Sequence, residues 1–329
     1  MDTLETLTQQ IMDGHQVTRE EALWLSKQPL EHLCRQADRI RRHFCKNTFD
    51  LCTIINGKSG RCSENCKFCA QSAHNHTDAD TYPLLSKEEI LADAKKQAAQ
   101  GVLRYSIVTA GKALSDAEID IMCDTIRQIR QETTLSVCVS FGLLTESQFC
   151  RLKETGVSRV HNNLETSERH FPNICTTHTF ADKVSAIQAA QQAGLTVCSG
   201  GIMGMGETMA DRIDMALALR DLGITSVPVN VLSPIPGTPF GEYPTLSEEE
   251  VLGILALYRF LLPAASIRMA GGRGLLPDGG KSCFLSGANA AITGDMLTTA
   301  GITVQTDLQM LTELGYEVKL DETTDDHRH

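Results

Sequence analysis

The sequence predicts an α/β protein: a (β/α)8 TIM-type barrel behind an N-terminal helical extension. Three observations predict it. Eight short runs that read as strands recur along the chain: "DLCTIIN" (50–56), "RYSIVTA" (104–110), "LSVCVSF" (135–141), "SRVHNNL" (158–164), "TVCSGGI" (196–202), "SVPVNVL" (226–232), "SIRMAGG" (266–272) and "NAAITGD" (289–295). Helical stretches lie between them, so the units read as βαβ and the sheet as parallel. No composition break or low-complexity linker divides the 329 residues, a length at which one barrel is common. An open, doubly wound sheet is the other arrangement of the same units.

Residues 1–48 read as helices, because "TREE" (18–21) is a capping box with apolar residues following at Ala22, Leu23 and Leu25. The same signal opens helices within the barrel at "SKEE" (86–89), "SDAE" (115–118), "TESQ" (145–148) and "SEEE" (247–250). The expected division is an extension over 1–48, the barrel over 49–315 and an acidic tail over 316–329. The tail's end, "DETTDDHRH", is expected to fray, and its histidines to be solvated rather than ligating.

Composition removes several function classes. The net charge of −11 argues against nucleic-acid or membrane-surface binding. "MDTLETLTQQIMDGHQ" has no apolar stretch of a secretory signal, and no run is long enough to span a bilayer, so a cytoplasmic location is expected. Twelve cysteines in such a chain point to thiols and metal rather than disulfides.

Three of those cysteines, Cys62, Cys66 and Cys69, fall in "GRCSENCKFCAQ" on the loop after the first strand, at the barrel end that carries active sites. Thiolates suit zinc or iron–sulfur clusters. A zinc knuckle, the main alternative, would need His74 or His76 as a fourth ligand; three buried structural cysteines are a further one. A cubane cluster held by three thiolates leaves one iron open to a small chelating molecule.

That spacing resembles the radical S-adenosylmethionine enzymes, whose open iron chelates the methionine part of the cofactor beside a 4Fe–4S cluster. Further motifs, "HNNLETS" (161–167), "VCSGGIMGMGET" (197–208), "VPVNVLSPIPGTP" (227–239), "IRMAGGR" (267–273) and "CFLSGANA" (283–290), resemble the biotin synthase family within that superfamily, in order over roughly residues 40–300. The resemblance implies insertion of sulfur between two saturated carbons of dethiobiotin, with sulfur drawn from an auxiliary cluster deep in the barrel. It implies that Cys62, Cys66 and Cys69 hold the 4Fe–4S cluster. Gly200, Gly201, Gly204 and Gly206 would allow close approach of S-adenosylmethionine. Asn163 and Glu165 match cofactor-contacting positions; the family often has Asp where Glu165 stands. Asn230 matches the residue that contacts the substrate's ureido ring, and Asn163 also touches substrate. A flavodoxin or ferredoxin as reductant and a homodimer follow from the same resemblance.

The auxiliary site departs from the family pattern of three cysteines and an arginine. Cys138, Cys198 and Arg268 match, but Ser106 stands where the remaining cysteine belongs, and a hydroxyl is a harder, poorer ligand for iron. Ser106 ligates weakly, another residue takes over, or no auxiliary cluster forms. Cys52 is the expected substitute. It lies on strand 1, as Cys138, Cys198 and Arg268 lie on strands 3, 5 and 7, and alternate strands supply one layer of inward side chains. Cys175, on the loop after strand 4, is the rival. A changed ligand set could hold a 2Fe–2S or a larger, four-iron cluster. Cys34, Cys45, Cys123, Cys150 and Cys283 read as packing residues. A related radical enzyme without sulfur insertion, hydrogenase-maturase-like, and an iron–sulfur electron carrier are the other function classes.

Overall fold

A strand sends successive side chains to opposite faces, and in this chain the outward set is the apolar one. In the computed structural model, which describes residues 3–320, Tyr105, Ile107, Val137, Val139, Val227, Val229, Ile267 and Met269 are buried in the main core. The residues between them, among them Arg104, Ser106, Cys138, Asn230 and Arg268, line a central lumen. A polar interior inside an apolar jacket is what this alternation produces when the sheet closes.

The sheet does close. Its strands are β1 (Thr48–Lys58), β2 (Arg104–Thr109), β3 (Ser136–Ser140), β4 (Val157–His161), β5 (Thr196–Cys198), β6 (Gly201–Met203), β7 (Ser226–Val231), β8 (Ser266–Met269) and β9 (Ala290–Ile292). All neighbours pair in parallel, and β9 returns to β1. β5 and β6 are halves of one barrel strand, interrupted at Ser199 and Gly200, so eight staves enclose the lumen. This is the (β/α)8 barrel, and it excludes the open sheet.

The helices are α1 (Leu4–Met12), α2 (Arg19–Leu25), α3 (Leu30–Cys45), α4 (Lys87–Ala99), α5 (Asp116–Glu132), α6 (Glu146–Glu154), α7 (Phe180–Gln192), α8 (Met209–Asp221), α9 (Glu248–Leu261), α10 (Lys281–Phe284) and α11 (Val304–Glu313). All five expected capping boxes form. Two more open α7 and α8, with Asp182 and Asp211 in the acidic position. In the extension, α1 packs on α3, and α3 lies against α9. Cys34 and Cys45 sit on α3, Cys123 on α5, Cys150 on α6 and Cys283 on α10, all away from the lumen lining.

At its far end the chain stays with the barrel past residue 316. A short strand, β10 (Glu317–Val318), pairs with Thr48 and Phe49, and the Tyr316 ring packs edge-on against Phe49. The reason is local: Tyr316 also donates its hydroxyl to the Phe284 carbonyl at 2.6 Å. The segment "DETTDDHRH" (321–329) lies outside the described residues.

Candidate active site

The inward side chains stack in rings whose membership follows from strand register. Starting at Cys52 and stepping one residue forward at each stave, the pairings run through Tyr105, Cys138, Val160, Cys198, Val227, Arg268 and Ala291, then back to Cys52. One residue of shift per stave is the stagger on which a (β/α)8 barrel closes. The inward members are Cys52, Cys138, Cys198 and Arg268, and all four line the lumen. Ser106 also lines it, but on the next ring toward the mouth, with His161, Pro228 and Ile292.

Beneath the sulfur-bearing ring lies a charged floor. Asp50 Oδ2 is 3.1 Å from Arg268 Nη2, 3.2 Å from Arg104 Nε and 3.4 Å from Arg159 Nη1. Arg104 also reaches Cys138 Sγ at 3.7 Å, and Ser226 donates to Cys198 Sγ at 3.2 Å. Burial raises the Cys198 pKa, but the His161 hydrogen bond and the Arg268 and Arg159 charges bring it down to about 6. Cys52 is pushed up to about 12 by burial, only partly offset by Arg268. Three guanidiniums share the Asp50 carboxylate, so positive charge gathers at the base of the lumen. Sequence reasoning missed Asp50, Arg104, Arg159 and His161, although the period-2 alternation that placed Cys138 and Arg268 inside places them inside too.

The Cys62–Cys69 loop crosses the mouth. Cys62 N donates to the Gln71 carbonyl, Ala73 N to the Cys62 carbonyl, and Asn75 Nδ2 donates to the carbonyls of Cys66 (3.2 Å) and Cys69 (2.8 Å). Phe68 and Cys69 line the lumen. The loop is laced to "ICTTH" (174–178): Lys67 N donates to the Ile174 carbonyl, and Asn65 Oδ1 accepts from Thr176 N at 2.9 Å. Cys175, on that segment, is therefore beside Cys66 at the mouth (Sγ to Sγ 3.8 Å) and not on the deep ring. His178 Nδ1 is 3.3 Å from Cys175 Sγ and 2.6 Å from Glu64 Oε2. The hydrogen bond between the two thiols draws Cys175 down to about 3 and, with burial, pushes Cys66 far up. Cys69 is pushed up to about 11 by burial.

Asn163, Glu165 and Asn230 line the lumen. Asn163 accepts from Gly200 N at 3.1 Å and donates to Glu165 at 3.3 Å. Burial raises the Glu165 pKa against the opposing charge of Lys183. Asn230 donates to the Gly201 carbonyl (3.1 Å) and accepts from Gly271 N (2.9 Å), so backbone already engages both ends of its amide. The four glycines are not among the lumen-lining residues. A Cβ at Gly200 would stand 1.9 Å from the Pro228 carbonyl oxygen, and one at Gly201 2.3 Å from that of Glu165. Those two glycines are required by the barrel wall itself. Gly204 and Gly206 hold positive φ, and the amides of Gly204 and Met205 donate to the Glu207 carboxylate.

Residues 28–219 match the radical SAM superfamily model, and residues 228–317 match the biotin and thiamin synthesis associated domain. Biotin synthase of Brachyspira hyodysenteriae is 58% identical over 320 residues, covering 97% of this chain and 96% of that protein. The chain belongs to the biotin synthase family. Biotin synthase of Akkermansia muciniphila is 56% identical, covering 97% of this chain and all of the relative. Among solved structures, methylornithine synthase superposes with a TM-score of 0.83 at 20% identity, covering 95% and 97% of the two chains. The [FeFe]-hydrogenase maturase of Carboxydothermus hydrogenoformans gives 0.81 at 17%, over 95% of this chain and 78% of that one. Those likenesses concern the fold, whereas the biotin synthase relatives share the full length. The chain is an enzyme, and its radical SAM family implies S-adenosylmethionine and a 4Fe–4S cluster. None of its helices, among the described residues, is long and apolar enough to cross a membrane.

Proposed function

We propose that this chain converts dethiobiotin to biotin, with Cys62, Cys66 and Cys69 holding the 4Fe–4S cluster and Cys52, Cys138, Cys198 and Arg268 holding an auxiliary iron–sulfur cluster. The observation that carries the second assignment is the closed register that sets those four residues on one ring and Ser106 on another.

The chemistry of the donors fits both groups. Neither set of three sulfurs converges as a single ion requires: among the described residues, only Cys66, Cys175 and His178 bring ligand atoms within 4.8 Å of one another. Multi-iron clusters suit such wider sets. The three guanidiniums gathered around Asp50 favour an anionic, thiolate-bound group above them, since buried charge is costly unless paired.

When bound, S-adenosylmethionine with its cluster supplies the carbon radical that removes hydrogen atoms, and the auxiliary cluster supplies sulfur. The protein's part is position and dryness. The apolar group formed by Phe171, Ile174, Met205, Leu232 and Phe240, with Cys66 and Phe68 packed against it, excludes water on the side of the radical cluster. Asn163, Glu165 and Asn230 stand along the wall between the two ends of the lumen, where polar groups can orient a cofactor ribose and a ureido ring. Asn230 keeps one N–H and one lone pair beyond its two backbone bonds. The polar floor fixes Arg268, whose Nη1 also donates to the carbonyls of Asp50 (3.1 Å) and Ala291 (3.0 Å).

The same reading includes a flavodoxin or ferredoxin as reductant, a homodimer and a cytoplasmic place of work. The deciding experiment is anaerobic product analysis of the reconstituted chain with dethiobiotin, S-adenosylmethionine and a low-potential reductant. Biotin is expected. Formation of 5′-deoxyadenosine with no biotin would leave a radical enzyme of a different kind.

A further inference from the structure

Cys175 and His178 play no part in the ring or in the motif that binds the radical cluster, yet with Glu64, from within that motif, they meet Cys66 in a buried corner beside it. The separations are informative. A metal–sulfur bond of about 2.3 Å sets the sulfur–sulfur edge of a tetrahedral site at about 3.7 Å, and a sulfur–nitrogen edge at about 3.5 Å. Here Cys66 Sγ and Cys175 Sγ are 3.8 Å apart, and Cys175 Sγ and His178 Nδ1 are 3.3 Å apart. Two thiolates and one imidazole are the donors that zinc and its first-row neighbours take. The bonds that lace 64–67 to 174–178 hold the ligands in place with no ion present.

We propose that Cys66, Cys175 and His178 form a mononuclear site for a thiophilic divalent transition-metal ion, which the chain binds before its radical cluster is installed. The proposal uses the reading of Cys66 as a cluster ligand for its consequence only. Binding displaces the thiol protons and the hydrogen bond between His178 and Glu64, which frees the Glu64 carboxylate to reach the fourth position. An ion so held occupies one of the three thiolates that the cluster needs. It therefore competes with cluster insertion, and zinc in this corner keeps the chain inactive until it is removed.

The test is titration of the full, cluster-free chain with Co2+ under anaerobic conditions. One equivalent is expected to give sulfur-to-cobalt charge transfer in the near ultraviolet and the intense visible bands of a tetrahedral ion. Cys175→Ala and His178→Ala should each weaken binding by at least about tenfold, while Cys62→Ala and Cys69→Ala keep the wild-type spectrum. Cys175→Ser, which preserves shape, should bind with reduced charge-transfer intensity, and it answers the question if the alanine variant misfolds. Loss of the spectrum in Cys62→Ala or Cys69→Ala, with Cys175→Ala unaffected, would put the ion on the cluster triad and overturn the proposal. So would an octahedral spectrum. Iron reconstitution of Cys66→Ala reports separately on the cluster reading: a full four-iron cluster there would sink that reading and leave the cobalt result to judge the mononuclear site.

Discussion

Asp50 and Arg268 face each other across the barrel floor, Oδ2 to Nη2 at 3.1 Å, and the same oxygen also draws in Arg104 and Arg159. One carboxylate thus ties together three guanidiniums, that of Arg268 on the sulfur-bearing ring and those of Arg104 and Arg159 beneath it. Asp50→Asn should lower unfolding stability by about 3–5 kcal/mol, because it strands buried cations. It should also reduce auxiliary iron more than radical-cluster iron. Urea unfolding and iron per chain, resolved by Mössbauer spectroscopy, check both; an unchanged midpoint would mean that the arginines find other partners.

The same carboxyl sets an acid limit. Burial pushes its pKa up, but Arg104, Arg268 and Arg159 hold it well below the carboxylate range. Its folded pKa lies below the unfolded value of about 3.9. Its stabilisation is therefore complete above about pH 5 and is lost as pH falls through the unfolded value toward the folded one. Stability of the parent chain should fall more steeply below about pH 5 than that of Asp50→Asn; parallel curves would remove Asp50 from the acid response.

Cys52→Ala should lose auxiliary iron and biotin formation while still cleaving S-adenosylmethionine. Ser106→Ala, one ring nearer the mouth, should be nearly unaffected. Iron per chain, Mössbauer spectra and biotin yield are the readouts. The reverse outcome would give the site to Ser106.

Replacing Cys62, Cys66 or Cys69 by alanine should abolish reductive cleavage of S-adenosylmethionine, since in the proposed assignment each thiolate holds one iron of the cluster. Formation of 5′-deoxyadenosine at the parent rate in any one of the three would remove that residue from the ligand set.

Asn230→Ala should weaken dethiobiotin binding by about 1–3 kcal/mol through loss of a buried hydrogen-bond partner, with little change in cofactor cleavage without substrate. Because Asn230 also ties Gly201 to Gly271, the melting temperature must be followed in parallel. Unchanged affinity with a lowered melting temperature would make the residue a brace only.

The barrel was legible because eight strand-like runs recur with helical stretches between them, and several of those helices open on Ser or Thr with Glu or Gln three residues on. The α7 and α8 boxes escaped because aspartate stands in for the longer acid. The shared ring of Cys52, Cys138, Cys198 and Arg268 was readable from the alternate strands that carry them and their like positions within those strands. The floor was not read, although period-2 alternation places Arg104 and Arg159 inside too, because a buried arginine gains its meaning from Asp50 on a distant strand. The glycines carry a second demand that the sequence does not show. Their sequence suggests an approach to a ligand, and Gly200 and Gly201 are in addition fixed by carbonyls of their own chain. The corner at Cys66, Cys175 and His178 brings together residues more than a hundred positions apart, and no local pattern announces it.

The pairing of Glu317 and Val318 with Thr48 and Phe49 has a practical consequence. It holds the carboxyl-terminal end of the described chain at the start of β1, whereas the Cys62 loop leaves from the other end of that strand. A linker joined directly after residue 320 should therefore anchor the molecule to a bead or an electrode by its base and leave the opening turned toward the bulk solution.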